Sequence, residues 1–264
     1  MRRILRTPLG KKARVWLWRH ARAVLSAPRP VAVANARWAS RRPLDRRYRE
    51  EVRHALKQMA GGVERCMYCE DSAGHAIEHF WPRSRFPERA FCWENLLLTC
   101  DRCNNHHKRT QFPLSLQGEP LLVDPTAEEP GMHLELRPRE GLMLAREGSA
   151  KGETTIGVLG LNRYELRKGR KIAWTGLQAL VERYGRFKEQ DRAEEAALCA
   201  GTLTGHPFPA VLEVLLRTAE RADAEQYVDP ECLAVLRSHG SDLRALLARG
   251  LSSQAAPVSP ARPL

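Results

Sequence analysis

The clearest hydrophobic pattern lies in residues 46–60, RRYREEVRHALKQMA, where Tyr48, Val52, Leu56 and Met59 recur at close to helical spacing. Apolar positions repeated this way fall on one stripe of an α-helix, so the segment predicts a helix with one buried face. Gly61-Gly62 marks its end, since glycine readily leaves helical geometry. Upstream, Val15-Trp16-Leu17-Trp18 stands among Arg and His and predicts an amphipathic helix leaning on the body of the protein or on a partner. Residues 113–130 carry Pro113, Pro120, Pro125 and Pro130 and read as a loop. Residues 133–146, HLELRPREGLMLAR, predict a hairpin turning near Glu140-Gly141. After Gly152 the period becomes helical, over 153–187, 189–200, 208–222, 230–238 and 241–249.

These patterns divide the chain into a basic N-terminal segment, 1–45, a core, 46–125, and a hairpin with helices, 126–250. The helices read as a packing layer and a surface for a partner. A disordered tail is expected over 251–264, where the chain is rich in Ser, Ala and Pro.

Charge sharpens the picture. The 264 residues carry a net charge of +12. A chain this basic is suited to an acidic partner such as nucleic acid. The excess is uneven: residues 1–49 hold fifteen Lys or Arg and a single acid, Asp45. Counterion release from phosphates would favour nucleic-acid contact there; the tryptophans equally suit partner docking, and a poorly ordered tail is the third reading. An Arg-rich, acid-poor start also has the composition of a transit peptide, but Pro28, Pro30 and Pro43 interrupt it and serine is scarce. No apolar run approaches the roughly 18 residues that read as a membrane span, and no secretory signal is visible, so a cytoplasmic location is expected.

Seven cysteines include two CxxC pairs, Cys66-Met-Tyr-Cys69 and Cys100-Asp-Arg-Cys103, with thirty residues between them. Two such pairs can complete a tetrahedral Cys₄ site, which zinc closes with no open position, so it would be structural. Cys92, Cys199 and Cys232 are isolated and read as free buried thiols.

Between the pairs lie Glu78-His79 in IEHFWP, Asn95 in WENLLL and Asn104 directly after Cys103. Phosphodiester hydrolysis needs an activated water and a cation that takes charge from the leaving oxygen. His79 can activate water, because a neutral imidazole titrates near physiological pH. Glu78 and Asn104 offer hard oxygen ligands for Mg²⁺ or Mn²⁺. Asn95 can fix the loop that orients His79. Strand alternation would place Glu78 and His79 on opposite faces, so a shared site needs them at a strand end.

CxxC, then Glu78-His79-x-x-Pro82, then Asn95-Leu96, then CxxCN followed by Lys resembles the HNH endonuclease motif. The resemblance implies an α+β protein. Its core would be a zinc-stapled ββα-metal unit, treble-clef-like, with a mainly helical C-terminal region. It implies His79 as general base, Asn95 as the central N, Asn104 in place of the last H, and Glu78 as metal ligand where Asp is more usual. It further implies that Lys108 faces phosphate. Arg102 and Arg109 are further candidates for phosphate contact, the alternative being a solvated face. His106 or His107 offers an alternative ligand to Asn104. CMYCE, IEHFWPRS, WENLLLTCDRCN, KRTQFPL, LLVDPT and LGLNR resemble, more narrowly, the PtuB-type HNH nucleases of the bacterial Septu antiphage system, a type also linked to retrons. Implied by that resemblance are an SMC/ABC-like ATPase partner and a defence role. The residues do not choose between DNA and RNA, since none is tied to a 2′-hydroxyl. A zinc-stapled nucleic-acid-binding module with a silent centre is the rival class.

Overall fold

Chain order and pairing are those of an α+β protein in which helices dominate. The computed structural model describes residues 1–71 and 74–252; of the expected tail, 253–264 lie outside the described residues.

Three helices open the chain: α1 (Lys11–Leu25), α2 (Pro30–Trp38) and α3 (Pro43–Met59). Pro30 and Pro43 each stand in the first turn of their helix, where the missing N–H costs nothing and the fixed φ suits the helix. The stripe predicted on α3 is the buried one: Val52, Leu56 and Met59 are inside and Tyr48 is packed at its edge. Burying each such side chain stabilises by about 1.5–3 kcal/mol. On α1, Trp16 and Leu17 point inward while Val15 and Trp18 are exposed. The basic segment therefore packs on the body through α1, α2 and α3, and residues 1–45 are not a loose tail. Its sole acid, Asp45, is buried and accepts from Trp16 Nε1 at 2.8 Å and from Ser40 Oγ, with His20 Nε2 at 3.1 Å.

The central unit is a two-stranded antiparallel ribbon, β1 (Ala76–His79) with β2 (Leu96–Thr99), registered Glu78 to Leu97 and His79 to Leu96. A wide helical segment, Arg102–Lys108, follows. Every residue of β2 is buried. A second ribbon, β3 (Leu134–Arg137) with β4 (Leu142–Ala145), is the predicted hairpin.

The C-terminal layer is α4 (Ala150–Leu159), α5 (Tyr164–Glu189), α6 (Ala193–Thr204), α7 (Pro209–Thr218) and α8 (Pro230–Ser252). The 153–187 period is thus split, because Gly160 takes a left-handed conformation at φ +56 and ends α4. Conversely, 230–238 and 241–249 are one helix: Gly240 is carried through by the burial of Leu233, Leu236 and Leu243 on one side, which outweighs its propensity cost of about 1 kcal/mol.

The corner between α4 and α5 ties three parts together. Asn162 pairs its side-chain amide with the Met143 backbone, accepting at 2.8 Å and donating at 2.7 Å. Leu161 is buried, and its carbonyl accepts from the buried Arg170. Arg163 Nη1 lies 3.7 Å from Cys103 Sγ.

Candidate active site and metal centre

The four cysteines of the two CxxC pairs converge. Cys66 and Cys69 sit on a turn closed by Glu70 N–H to Cys66 O at 2.8 Å, which docks on β2 through Met67 N–H to Leu98 O. Cys100 directly follows β2 and Cys103 lies in the first turn of the 102–108 segment, its N–H 3.4 Å from Cys100 Sγ. All four sulfurs are buried and lie within 4.8 Å of one another, and Cys69 and Cys100 are 3.8 Å apart. Tetrahedral Zn–S bonds of about 2.3 Å separate their sulfurs by about 3.8 Å, so the donor set fits a closed four-thiolate metal site.

Glu78 and His79 end β1 and are both buried. Both line one cavity of about 460 Å³, together with Asn104, Asn105, Arg83 and Arg109. The strand end resolves the alternation problem: although neighbours on a strand diverge, the chain turns at Pro82 and both side chains meet the same space.

His79 is held on three sides. Nε2 is 3.0 Å from Ala90 O. A carbonyl only accepts, so Nε2 carries the proton and Nδ1 keeps its lone pair. Arg83 Nη1 is 3.4 Å from Nδ1, and Trp38 packs edge-on at 4.4 Å between ring centroids. Burial first, and the charge of Arg83 next, pushes His79 down to about 3, so the imidazole is neutral near pH 7 but does not titrate near physiological pH as its residue type predicts.

Asn95 makes the Ala90 contact reproducible. Its Oδ1 accepts the Trp81 N–H at 2.7 Å, and its Nδ2 donates to Trp81 O at 3.1 Å and Arg89 O at 2.9 Å. One buried amide thus clasps both ends of the 81–89 stretch, next to Ala90. Phe80, Trp81, Phe86 and Phe112 pack around that stretch at ring distances of 4.5–5.6 Å, so Phe80 and Trp81 are packing groups.

Lys108 departs from the expected phosphate contact. It is wholly buried, donating to Glu78 Oε1 at 2.5 Å and to His79 O at 3.1 Å. The wide turn, closed by Arg109 N–H to Asn104 O at 2.7 Å, brings Asn104 to the cavity and Lys108 beneath it. Burial raises the Glu78 carboxyl, and the Lys108 charge opposes this. His107 is likewise displaced from the ligand role: its ring packs against Gly160, whose missing Cβ would sit 2.3 Å from it. His106 pairs with Asp101 on the surface at 2.9 Å. Arg102 is exposed beside Glu165, outside the cavity, whereas Arg109 lines it.

Cavity neighbours that sequence reasoning missed include Asn35, Arg83 and Asn105 on its lining and Trp38 against His79. Arg83 follows His79 by four residues inside IEHFWPRS, so its proximity had a local signal. Asn35 and Trp38 come from a helix more than forty residues upstream, and nothing in their own spacing pointed to the site.

The chain is 34% identical over 154 residues to Septu protein PtuB of Bacillus mycoides (strain KBAB4), covering 47% of this chain and 51% of that protein. It is 32% identical over 120 residues to Septu protein PtuB of Bacillus thuringiensis, covering 43% and 42%. The chain spans about half the length of the curated relatives it matches. No family model matches it. Over the aligned part the chain is close to Septu PtuB proteins.

Proposed function

We propose that this chain is a metal-dependent HNH endonuclease that hydrolyses phosphodiester bonds, DNA first among its substrates. In this reading it is the nuclease of a bacterial antiphage defence system working with an SMC/ABC-like ATPase. One observation carries the reading. A neutral imidazole, oriented by Ala90 O at Nε2 and with Arg83 at its Nδ1, lines a cavity that also holds a carboxylate, three amides and two arginines. Similarity to Septu PtuB proteins supports the defence role.

In this reading His79 Nδ1 takes the proton of the attacking water, and the Ala90 carbonyl stabilises the imidazolium that forms. Arg83 swings from Nδ1 to a phosphate oxygen as substrate enters, and Arg109 meets a flanking phosphate. Glu78 and Asn104 would hold Mg²⁺ or Mn²⁺, which supplies charge neutralisation at the leaving oxygen. Lys108 aims Glu78 and opposes the upward push that burial gives its carboxyl. The four cysteines hold a structural Zn²⁺. No described helix is long and apolar enough to cross a membrane.

The test is cleavage of plasmid DNA and of tRNA by the chain, with and without the ATPase encoded beside it. Cleavage is expected in added Mg²⁺ or Mn²⁺. It should vanish without the divalent ion and in His79→Ala, with zinc content unchanged in both. Cleavage by His79→Ala at the wild-type rate overturns the general base. Cleavage of tRNA with plasmid spared moves the substrate to RNA. Binding without cleavage under every condition leaves the silent module.

A further inference from the structure

The basic N-terminal helices form part of the wall of the candidate active cavity. Asn35 of α2 lines it and accepts from Arg83 Nε at 2.8 Å. Trp38, at the end of α2, packs on His79. Ile77 lines this cavity and also a second one of about 350 Å³, bounded by Trp38, Arg46, Arg49 and Arg53. The two spaces therefore share one wall residue, and α2 and α3 supply most of the second wall.

The second space is cationic. Its one lining carboxylate, Glu50, is held by Arg53 at 2.5 Å, and Arg53 also pairs with Glu64 at 2.9 Å, so the uncancelled charge is that of Arg46 and Arg49. Arg49 spends its donors on the carbonyls of Trp38 and Ser40, which bind it without cancelling its charge. Arg46 is exposed and has no carboxylate partner among the described residues, and Arg41 and Arg42 are exposed before it. Asp45 cannot offset them, since it is buried and committed to Trp16, His20 and Ser40. Hence the positive charge of Arg46 and Arg49 stays uncancelled on the wall of the second space.

We propose that the α2–α3 face, from Asn35 to Arg53, is a nucleic-acid track that continues the active cavity. It would carry the phosphodiester backbone past Ile77 and Trp38, away from the bond to be cut. The inference rests on the nuclease reading of the cavity and adds which face the flanking strand follows. A backbone with one charge per nucleotide suits a row of arginines entered from a cleft that holds a further two, Arg83 and Arg109.

The test is fluorescence anisotropy of labelled single-stranded and duplex DNA oligonucleotides with the full chain, without added Mg²⁺ or Mn²⁺, across a salt series. Arg46→Glu should weaken binding by about 10-fold or more and lower the log–log salt slope by about one or more. Arg46→Lys should stay near wild type. Arg46 is exposed near the start of α3, where an acidic side chain is compatible with the helix dipole, so Arg46→Glu is expected to fold. Arg237→Glu, on α8, which packs on α5, α6 and α7, should leave binding unchanged. If wild type binds and Arg46→Glu binds equally with the same slope, the track is wrong and the cavity reading stands. If wild type binds neither oligonucleotide, the track and the DNA reading of the cavity both fall. If Arg46→Glu keeps its DNA but no longer co-purifies with the ATPase, the face is a protein interface and the track is overturned.

Discussion

Lys108 Nζ lies 2.5 Å from Glu78 Oε1, and neither side chain meets solvent to any useful extent. A lysine in a basic stretch, next to Arg109, reads as a surface phosphate contact; here it is the internal counter-ion of the site's carboxylate. Removing one partner of a buried pair leaves the other charge uncompensated, at about 3–5 kcal/mol. Lys108→Met should therefore lower the denaturant midpoint sharply, and Lys108→Met with Glu78→Gln should recover part of the loss. An unchanged midpoint in Lys108→Met would show that the pair contributes nothing.

The depressed basicity of His79 has a stability consequence with a definite sign. Folded His79 stays neutral down to about 3, while in the unfolded chain it protonates near 6.5. Between those values the unfolded state binds more protons, so stability is fully present above about 6.5 and falls as the pH drops toward 3. The slope is at most about 1.4 kcal/mol per pH unit. Urea melts at pH 7 and pH 4.5, compared with the same melts of His79→Gln, should show the wild-type advantage shrinking in acid. A difference that is flat with pH would contradict the buried neutral imidazole.

In the proposed nuclease, Asn95 would act through the loop it clasps and not on the substrate. Asn95→Asp keeps the acceptor for the Trp81 N–H but loses both donations, to Trp81 O and Arg89 O. The Ala90 carbonyl then loses its fixed place against His79. Cleavage is expected to fall by roughly 100-fold, the scale of a 1 Å misplacement, with the fold retained by circular dichroism. Activity within a factor of about two of wild type would show that the clasp does not position the base.

The cysteine site makes a separate prediction. One zinc per chain should be found by elemental analysis, and Cys103→Ser should lose it together with cooperative unfolding, since the ligands arrive from two ends of the core. A folded Cys103→Ser protein with full zinc would remove the staple.

What the sequence disclosed followed the range of each cause. The α3 stripe and the CxxC spacing are local patterns, and Val52, Leu56 and the four sulfurs stand as expected. The joint cavity of Glu78, His79 and Asn104 was legible from motif spacing, and the anchoring role of Asn95 from its residue type. The direction of Lys108 was not, because it depends on a wide helical turn whose closure, Arg109 to Asn104, has no sequence period. The placement of His107 was not legible for a similar reason: its ring lies against Gly160, fifty-three residues on. Trp38 reached His79 only through the packing of the N-terminal helices, a long-range effect invisible to local pattern.

The corner at 160–163 has a consequence for how the chain can change length. Gly160 makes room for His107, Leu161 fills the core, Asn162 grips Met143 and Arg163 reaches Cys103. Four successive residues each meet a different neighbour, so adding or deleting one shifts every later residue off its mark by a full step. The loop around Leu116, a fully exposed side chain, has no such obligations. Length variation among relatives is therefore expected to collect near residue 116 and to be absent from 160–163, where a one-residue deletion would uncouple the helical layer, the second ribbon and the cysteine site together.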